Sequence, residues 1–506
     1  MEERDCKLFV PPLIRKQNGA HINEKFSKYY EKLGKFYTPA SPTDNTLVFE
    51  SRFESGNLGK ATQMGEYVYD LELRHDFNSF NLLLTQWYFF RVSNTRKNVE
   101  YTFNIVNLSK PDSSYSQGMK PLLYSEKNYK ATCNGWFRGG YDIRYFQTPV
   151  KIKKISGNEV TTYTLSFKVV FQYDNDIIYL SHCYPYTYSD LVAFLNTACN
   201  PVAYKDRLKR TQLTRSIAGN VVDLLIITNL ESSQDDIAER AAIILSSRVH
   251  PGESNASFIM EGIIQFLMSD EPAAKALRDK YVFKIVPMLN PDGVIVGNYR
   301  CSLGGYDLNR QWTNPSMKNS PEIYCMKEMI KKTLECRKID LFVDIHGHSR
   351  QKNLFIYGCS RFQNGPHSQA LPIPSTFNFA NDKKSKTVNP GPVAVQGSAI
   401  QNSSVSNLTI KEKVFPWLLA KNCEDFCYYN CLFGVHKSKE STGRAVVWRE
   451  FNIVNSYTLE CSFCGPTQGS NKDCHFNIQS LIKLGHTFAE TILEFSNPKI
   501  SKLMNP

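Results

Sequence analysis

The sequence has no long apolar run and no leader-like start. No stretch approaches the about 18 consecutive apolar residues of a membrane-spanning helix, so we expect no membrane insertion. Residues 1–7 lead only into a brief apolar run and Pro11-Pro12, a pattern unlike a secretory signal peptide. We therefore expect a cytoplasmic protein whose 14 cysteines are reduced.

The cysteines lack the His or Cys partners that a zinc-finger type of metal site needs. Cys461 and Cys464 form a C-x-x-C pair, and Cys423, Cys427 and Cys431 follow one another at intervals of four. Neither group has a matching His or Cys pair at zinc-finger spacing. We interpret these five residues as buried structural thiols.

Acidic residues are in the minority, with 48 Asp and Glu against 60 Lys and Arg, a formal net charge of +12. An excess of this size is typical of a solvated surface, but it can also steer an acidic partner such as an acidic peptide or nucleic acid. The 506 residues, 42% of them hydrophobic, suffice for two domains that each have a sizeable core.

Changes in residue pattern divide the chain. Residues 1–46 form a polar lead-in, and residues 47–182 contain short β-branched and aromatic runs separated by turn residues, typical of an antiparallel β-sandwich. In residues 183–506 strands alternate with helices, which predicts an α/β fold with a mixed, largely parallel sheet flanked by helices. Residues 364–411 are rich in Ser, Asn, Pro and Gln, and we expect them to be a disordered surface insertion. The predicted elements of the α/β part include helices at 257–268, 273–280, 320–336, 415–431 and 477–495, and a strand at 445–448.

The clearest chemical signal lies at a tight turn between a predicted strand and a predicted helix. His250 and Glu253 lie three residues apart on this Pro-Gly turn. Imidazole and carboxylate suit zinc, and a catalytic zinc takes three protein ligands plus a water. The candidate third ligand is His346, at the end of a buried strand, but His348 points to the same face of that strand and spacing alone does not exclude it.

Other polar residues have the chemistry that a hydrolytic zinc site needs. Glu460 ends a strand whose apolar pattern predicts burial. A buried carboxylate is costly unless it has a hydrogen-bond or charge partner or a chemical role. Beside a zinc-bound water it would be a general base. Arg300 and Arg310 lie ten residues apart in loop-like sequence, with Asn309 adjacent, and forked guanidinium groups can bind a carboxylate.

Several motifs occur in order along the chain. They are His250-Pro-Gly-Glu253, Asn290-Pro-Asp-Gly293, Asp307-Leu-Asn309-Arg310, Asp344-Ile-His346-Gly-His348-Ser and Ser456-Tyr-Thr-Leu-Glu460. Together they resemble the zinc carboxypeptidases of the funnelin type, most of all their cytosolic branch. Phe53-Glu-Ser-Gly-Asn-Leu58 and Tyr184-Pro-Tyr-Thr-Tyr-Ser189 resemble that branch's N-terminal β-domain. The resemblance covers about residues 47–360 and 412–495.

The resemblance implies one zinc ion per chain. His250, Glu253 and His346 match the zinc ligands of the family, which favours His346 over His348. Asp307 would orient a ligating imidazole from behind the metal.

The resemblance also implies roles in catalysis and substrate binding. Glu460 matches the general base, and Arg300 matches the arginine that polarises the scissile carbonyl and holds the oxyanion. Asn309 and Arg310 match the pair that binds the terminal carboxylate of the substrate. No residue matches the tyrosine that closes over substrate in digestive relatives, and residues 437–440 are where we would look for its counterpart.

The cytosolic branch removes glutamates from protein C-termini or from side-chain branches, with tubulin its best-known target. The resemblance therefore implies a deglutamylase with polyglutamylated or acidic-tailed protein partners, tubulin and microtubules among them, and no nucleic acid. Its expected location is the cytoplasm, including microtubules or cilia. For the basic residue that receives the glutamate side chain we choose Arg444, with Arg449 second.

Two other functions fit part of the sequence. One is a zinc-dependent deacylase of small N-acyl amino acids, for which the β-sandwich would matter little. The other is a non-catalytic pseudo-enzyme that binds microtubules through its basic surface, for which no stoichiometric zinc is expected.

Overall fold

The computed structural model describes residues 37–79, 84–149, 152–153, 159–360 and 411–497. Apart from Lys411, the insertion expected at 364–411 lies outside these residues, as do residues 1–36 of the expected lead-in. No helix in the described ranges has the length and apolar character needed to cross a membrane.

The N-terminal part of the described chain is built from strands. They are β1 (Val48–Glu50), β2 (Lys60–Gly65), β3 (Val68–Glu72), β4 (Phe89–Ser93), β5 (Glu100–Leu108), β6 (Leu122–Ser125), β7 (Phe137–Arg138), β8 (Tyr141–Gln147), β9 (Ile152–Lys153), β10 (Glu159–Val160), β11 (Tyr163–Val170) and β12 (Ile178–Ser181), with one helix, α1 (Glu126–Thr132), between β6 and β7. Two five-stranded sheets form, in the orders β1-β4-β12-β6-β7 and β2-β3-β5-β11-β8, while β9 and β10 pair separately.

The two five-stranded sheets pack face to face through aromatic side chains. Phe49 on β1 lies 5.3 Å from Tyr69 on β3 and 6.1 Å from Phe103 on β5, measured between ring centroids. The three rings thus connect the first sheet to the second. All strand pairs of the two sheets are antiparallel except β3 with β5, which run parallel. The prediction of a β-sandwich is therefore confirmed, with this one parallel pair as its exception.

The second part of the chain has the α/β pattern that its sequence predicts. Its strands are β13 (Leu208–Arg215), β14 (Val221–Ile227), β15 (Ala241–Ser247), β16 (Tyr281–Val286), β17 (Ile339–His348), β18 (Leu354–Tyr357) and β19 (Ser456–Ser462). Its helices are α2 (Tyr188–Ala198), α3 (Gln234–Glu239), α4 (Asn255–Met268), α5 (Pro272–Lys280), α6 (Pro291–Val296), α7 (Pro321–Cys336), α8 (Lys411–Asn422), α9 (Gly443–Phe451) and α10 (Ile478–Phe495). Four of the five predicted helices agree with α4, α5, α7 and α10 to within two residues.

One seven-stranded sheet organises this part, in the order β13-β14-β16-β15-β17-β19-β18. The four strands β16, β15, β17 and β19 run parallel, and the outer pairings are antiparallel. Alternate residues of β15 enter different apolar clusters: Ile243 and Leu245 join the cluster of α4 and α10, while Ala242 and Ile244 join that of α7 and α9. Both faces of the sheet are therefore covered by helices, as the apolar character of its parallel strands requires.

Two predicted elements of the α/β part are wrong. Residues 445–448 were expected in a strand but lie in helix α9, where Val446 and Val447 are fully buried. β-branched residues favour strands locally, but packing overrides that preference. The helix predicted to reach residue 431 ends at Asn422, because the following segment hydrogen-bonds to the edge strand β18 instead, with Cys427 N donating to Leu354 O at 2.8 Å.

The cysteines behave as the sequence predicts. All those in the described ranges are free thiols, and the five that form the two groups by spacing are buried. Cys431 Sγ accepts a hydrogen bond from Ile356 N of β18 at 3.3 Å. The prediction that these five thiols are buried is confirmed.

Candidate active site

The ends of three neighbouring parallel strands bring the predicted residues to one edge of the sheet. His250 and Glu253 follow β15, and His346 is near the end of β17. Glu460 lies on β19, directly opposite His346 in the strand register. Polar residues after buried parallel strands meet at the carboxyl edge of such a sheet, which is where sites form in this fold class.

His250, Glu253 and His346 form the one group in the described residues whose spacing could hold a metal ion. All three are buried, and their ligand atoms lie within 4.8 Å of one another. His250 Nδ1 lies 2.9 Å from Glu253 Oε1, and His346 Nδ1 lies 2.9 Å from Glu253 Oε2. The two Nδ1 atoms are themselves 3.2 Å apart.

The outer nitrogen of each imidazole faces a carboxylate. His346 Nε2 lies 2.7 Å from Asp344 Oδ2, and His250 Nε2 lies 3.2 Å from Asp307 Oδ1. Because a carboxylate accepts, a proton on each Nε2 would leave the lone pair of each Nδ1 directed inward. In that tautomer two imidazole lone pairs and the Glu253 carboxylate converge, a donor set that fits a catalytic zinc with positions left for water and substrate.

His348, the alternative third ligand by spacing, is engaged elsewhere. Its Nδ1 accepts from Gln351 N at 2.9 Å, and its ring packs edge-on against Phe355 at 5.2 Å. Burial and the nearby charge of Lys110 lower the pKa of His348 to about 4. The structure brings His346, and not His348, to the group with His250 and Glu253.

Glu460 combines proximity to this group with an altered acidity. Burial raises the pKa of Glu460 to about 7, and the charge of Glu253 acts in the same direction while His346 opposes it. A carboxylate whose pKa lies near neutrality can both accept and return a proton at physiological pH. The buried Glu460 carboxyl group is therefore suited to general acid–base catalysis.

Arg300 and His250 are linked through one carboxylate. Arg300 Nε donates to Asp307 Oδ2 at 2.7 Å, while Asp307 Oδ1 faces His250. Asp307 also accepts from Asn309 N at 3.0 Å and so begins the 3-10 turn Leu308–Arg310. One side chain thereby sets the positions of an arginine, an imidazole and a turn.

That 3-10 turn places Asn309 and Arg310 beside the start of helix α9. Asn309 Oδ1 accepts from Gly443 N at 2.9 Å, which leaves its amide nitrogen as the end that can donate to a ligand. Arg310 donates to Asn309 O at 3.0 Å, so the two side chains belong to one local arrangement.

The two candidate pocket arginines differ in their surroundings. Arg444 is buried in the first turn of α9, donates to Gly358 O, and lies 5.8 Å from the ring centroid of Tyr357. Tyr357 lies on β18 two residues after Phe355, which pairs with Glu460 of β19. Arg449 has a side chain that is 42% exposed and donates to Glu440 O. Arg444 thus lies on the inner side of the helix and Arg449 at its surface.

Sequence reasoning missed two residues around the site. Asp344 precedes His346 by two positions in a strand, so both lie on one face, and that spacing was a usable signal. Lys439 lies in the 3-10 turn Lys437–Lys439, inside the stretch 437–440 where a substrate-closing residue was sought. Desolvation and then the charge of Arg310 lower the pKa of Lys439, while the charge of Glu460 opposes this shift.

Comparison with known proteins identifies related families for both parts of the chain. Residues 201–465 match the zinc carboxypeptidase family, and residues 49–164 match the cytosolic carboxypeptidase N-terminal domain. Cytosolic carboxypeptidase 2 of Mus musculus is 44% identical over 466 residues, which are 92% of this chain and 48% of the relative. Cytosolic carboxypeptidase 3 of Mus musculus is 39% identical, over 92% of this chain and 42% of the relative. The chain therefore spans about half the length of these relatives.

Solved structures resemble the fold as a whole. A metallo-carboxypeptidase from Burkholderia cenocepacia superposes with a TM-score of 0.64 at 22% identity, covering 89% of this chain and 98% of that one. A metallo-carboxypeptidase from Pseudomonas aeruginosa gives a TM-score of 0.62 at 19% identity, covering 90% and 99% of the two chains. At these identities the likeness concerns the fold, and it includes both parts of the chain. The two sequence matches show that the chain belongs to the zinc carboxypeptidase family and carries the N-terminal domain of its cytosolic members.

Proposed function

We propose that this chain is a zinc metallocarboxypeptidase that removes glutamates from the C-termini or side-chain branches of acidic protein tails, with tubulin the expected target. The observation that supports this most strongly is the convergence of His250, Glu253 and His346, with Glu460 on the adjacent strand. The family membership of the chain supports the same reaction class.

One zinc ion held by His250, Glu253 and His346 would supply Lewis acidity, which lowers the pKa of a water to about 7 and polarises a carbonyl. Glu460 accepts the proton of the attacking water and later donates it to the leaving amine. Its raised pKa, due first to burial, suits both transfers. Arg300 donates to the carbonyl oxygen as negative charge develops there, an effect worth about 3 kcal/mol for one well-placed donor.

Recognition of a chain end follows from Asn309 and Arg310. The free amide end of Asn309 and the guanidinium of Arg310 can bind a terminal carboxylate by charge-assisted hydrogen bonds. A peptide bond within a chain offers no such carboxylate. These residues therefore restrict cleavage to the last residue.

Preference for glutamate is supported by the cations around the centre. Arg444 is buried near Tyr357, and the positive charge of Arg310 acts on Lys439, so a glutamate side chain in the pocket meets positive charge. We assign the side-chain carboxylate to Arg444, with Lys439 as an additional cation at the rim. The formal net charge of +12 favours the approach of an acidic tail.

We also propose roles for the two parts of the chain, a class of partner and a cellular location. Residues 47–182 and 183–506 act as a β-sandwich domain and a catalytic domain. Polyglutamylated or acidic-tailed proteins are the partners in this proposal, and the protein works in the cytoplasm, at microtubules or cilia.

The test is mass spectrometry of purified chain incubated with tubulin and with synthetic peptides. The peptides carry a linear glutamate tail, a glutamate branch, or a linear tail with an amidated C-terminus as the matched control. We expect stepwise loss of glutamate from the first two and none from the amide, with one zinc per chain. Hydrolysis of N-acyl amino acids instead would indicate a deacylase, and absence of both zinc and turnover would indicate a microtubule-binding pseudo-enzyme.

A further inference from the structure

The loop that carries Arg300 is held by a residue of the other domain. Asp76, which lies between β3 and β4, accepts hydrogen bonds from three consecutive backbone N–H groups. Tyr299 N lies 2.6 Å from Oδ1, while Arg300 N and Cys301 N each lie 2.7 Å from Oδ2. A single carboxylate thus fixes the backbone on both sides of Arg300.

This carboxylate is buried and depends on those donors. Asp76 is 4% exposed. Burial raises the pKa of Asp76 to about 6, and the three backbone N–H groups oppose that rise. A buried carboxylate is tolerated only where hydrogen bonds replace its lost hydration, and three short charge-assisted bonds do so here.

Neighbouring contacts hold the same loop against the same segment of the β-sandwich. Phe77 N donates to Asn298 Oδ1 at 2.8 Å, and Asn78 Nδ2 donates to Leu303 O at 2.7 Å. Gly305 has φ of 79° and presses on the backbone of Asn78 so closely that a Cβ there would collide with its carbonyl. The loop therefore has little freedom to move relative to residues 76–78.

From this backbone the contacts continue into the reaction centre. The side chain of Arg300 donates to Asp307, and Asp307 faces His250, a proposed zinc ligand. The position of the Arg300 guanidinium thus depends on two contacts. The Asp307 carboxylate accepts from its Nε, and Asp76 fixes the backbone from which the side chain extends. Asp76 provides the second contact without reaching the metal group or the substrate.

We propose that Asp76 is a positioning residue for the peptidase reaction: it fixes the backbone of Arg300 so that the guanidinium meets the carbonyl oxygen of the scissile bond. This proposal rests on the role of Arg300 proposed above. It gives the N-terminal domain an indirect part in the reaction, since the domain supplies the carboxylate that positions a residue of the active site.

The expected effect is on turnover more than on substrate affinity. Asp76→Asn keeps the shape of the side chain but removes its charge and replaces one acceptor oxygen with a donor. Because displacement of a preorganised donor by about 1 Å can cost about 10²-fold in rate, we expect kcat to fall about 10- to 100-fold. KM is expected to change by less than about threefold, since Asn309 and Arg310 are held by other contacts.

The experiment compares kcat, KM, zinc per chain and Tm for the purified full chain on a peptide that ends in glutamates. The matched control is Asp176→Asn. Asp176 is also a buried aspartate of the β-sandwich, and it accepts from Ser125 Oγ, Lys127 N and Ile177 N. We expect both variants to lower Tm and keep one zinc per chain, and only Asp76→Asn to lower kcat. Equal kcat in Asp76→Asn and wild type overturns the proposal.

A double-mutant cycle separates positioning from general damage. In an Arg300→Ala background, Asp76→Asn should lower kcat by less than about twofold more, because the residue through which it acts is already gone. A full additional loss overturns the proposal. If Asp76→Asn does not fold, Asp76→Glu serves, since it keeps the charge and displaces the oxygens; unchanged kcat in that variant likewise overturns the proposal.

The cycle also distinguishes this proposal from the function on which it rests. If Arg300→Ala lowers kcat but Asp76→Asn leaves it at the wild-type value, only the role of Asp76 is refuted and the role of Arg300 stands. A wild-type rate in Arg300→Ala refutes the role of Arg300, and the role of Asp76 with it.

Discussion

Asp344 Oδ2 lies 2.7 Å from His346 Nε2, and this contact determines which ring nitrogen of His346 is available to a metal. With the proton on Nε2, the Nδ1 lone pair faces Glu253. Asp344 is itself fixed by Ser246 Oγ, which donates to its other oxygen at 2.8 Å. The ligand set thus depends on two strands, β15 and β17, being held side by side.

Asp344→Asn is expected to weaken zinc binding by about 10- to 100-fold, because the imidazole loses the carboxylate that orients it and raises its basicity. Competition with a fluorescent chelator measures this affinity directly. Asp340→Asn is the matched control, since Asp340 lies on the same strand and pairs with Lys338 at the surface. Equal zinc affinity in the two variants would contradict the assignment.

The pH dependence of kcat/KM should have an acid limb due to Glu460. Burial raises the pKa of Glu460 to about 7, so the carboxylate becomes protonated and loses its function as base as the pH falls. A bound zinc ion favours the charged form and moves the limb lower, so we expect it between about pH 5 and 7. Rate measurements from pH 5 to 8 check this, and a flat profile would argue against Glu460 as the base.

Arg444 and Arg449 allow a matched test of specificity. Arg444→Met is expected to lower kcat/KM for a glutamate-terminated peptide by about 10- to 100-fold, the value of a buried charge-assisted contact, with little effect on a peptide ending in a neutral residue. Arg449→Met should affect neither peptide, because its side chain is partly exposed and bonds to Glu440 O. A larger loss of kcat/KM for the glutamate-terminated peptide in Arg449→Met than in Arg444→Met would instead assign the glutamate side chain to Arg449.

Glu322 gives a prediction for stability that is independent of catalysis. Its side chain is buried at the start of α7, and Oε2 has no hydrogen-bond partner in the described part of the chain. Burial raises the pKa of Glu322 to about 8, above the value of about 4.3 in an unfolded chain. The folded state therefore binds the proton more tightly, and the stability linked to it is present at low pH and lost as the pH rises through the folded pKa.

Removal of the Glu322 carboxyl group should therefore make the free energy of unfolding less dependent on pH. Urea unfolding at pH 5 and pH 8 should show Glu322→Gln gaining about 2–4 kcal/mol relative to wild type as the pH rises. Glu335→Gln, at an exposed position of the same helix, should keep a constant difference from wild type. A constant difference for Glu322→Gln as well would contradict the prediction.

Local spacing and strand order suffice to predict which ligand candidates converge. His250 and Glu253 lie on one turn, and His346 is near the end of a buried strand, so the carboxyl edge of a parallel sheet brings them together. Spacing could not choose between His346 and His348, because residues two apart in a strand share a face. That choice needed the family resemblance at first, and then the contact with Asp344.

The features that could not be predicted depend on contacts between distant segments. Helix α9 contains a β-branched pair, Val446-Val447, whose helical conformation follows from packing. Asp76 lies more than 220 residues before Arg300, so no local pattern links the two. Sequence periodicity reports which side of an element is buried, but it does not report what lies against that side.

Glutamate release by wild type and by Glu460→Gln, compared at equal zinc content, tests the central claim most directly. The substrate is a peptide ending in glutamates, and free glutamate is quantified by mass spectrometry. We expect wild type to release glutamate stepwise and the variant to be slower by at least about 10²-fold, because Gln cannot accept the proton of the attacking water. Equal rates, or no release by zinc-loaded wild type, would contradict the assignment of this chain as a glutamate-releasing carboxypeptidase.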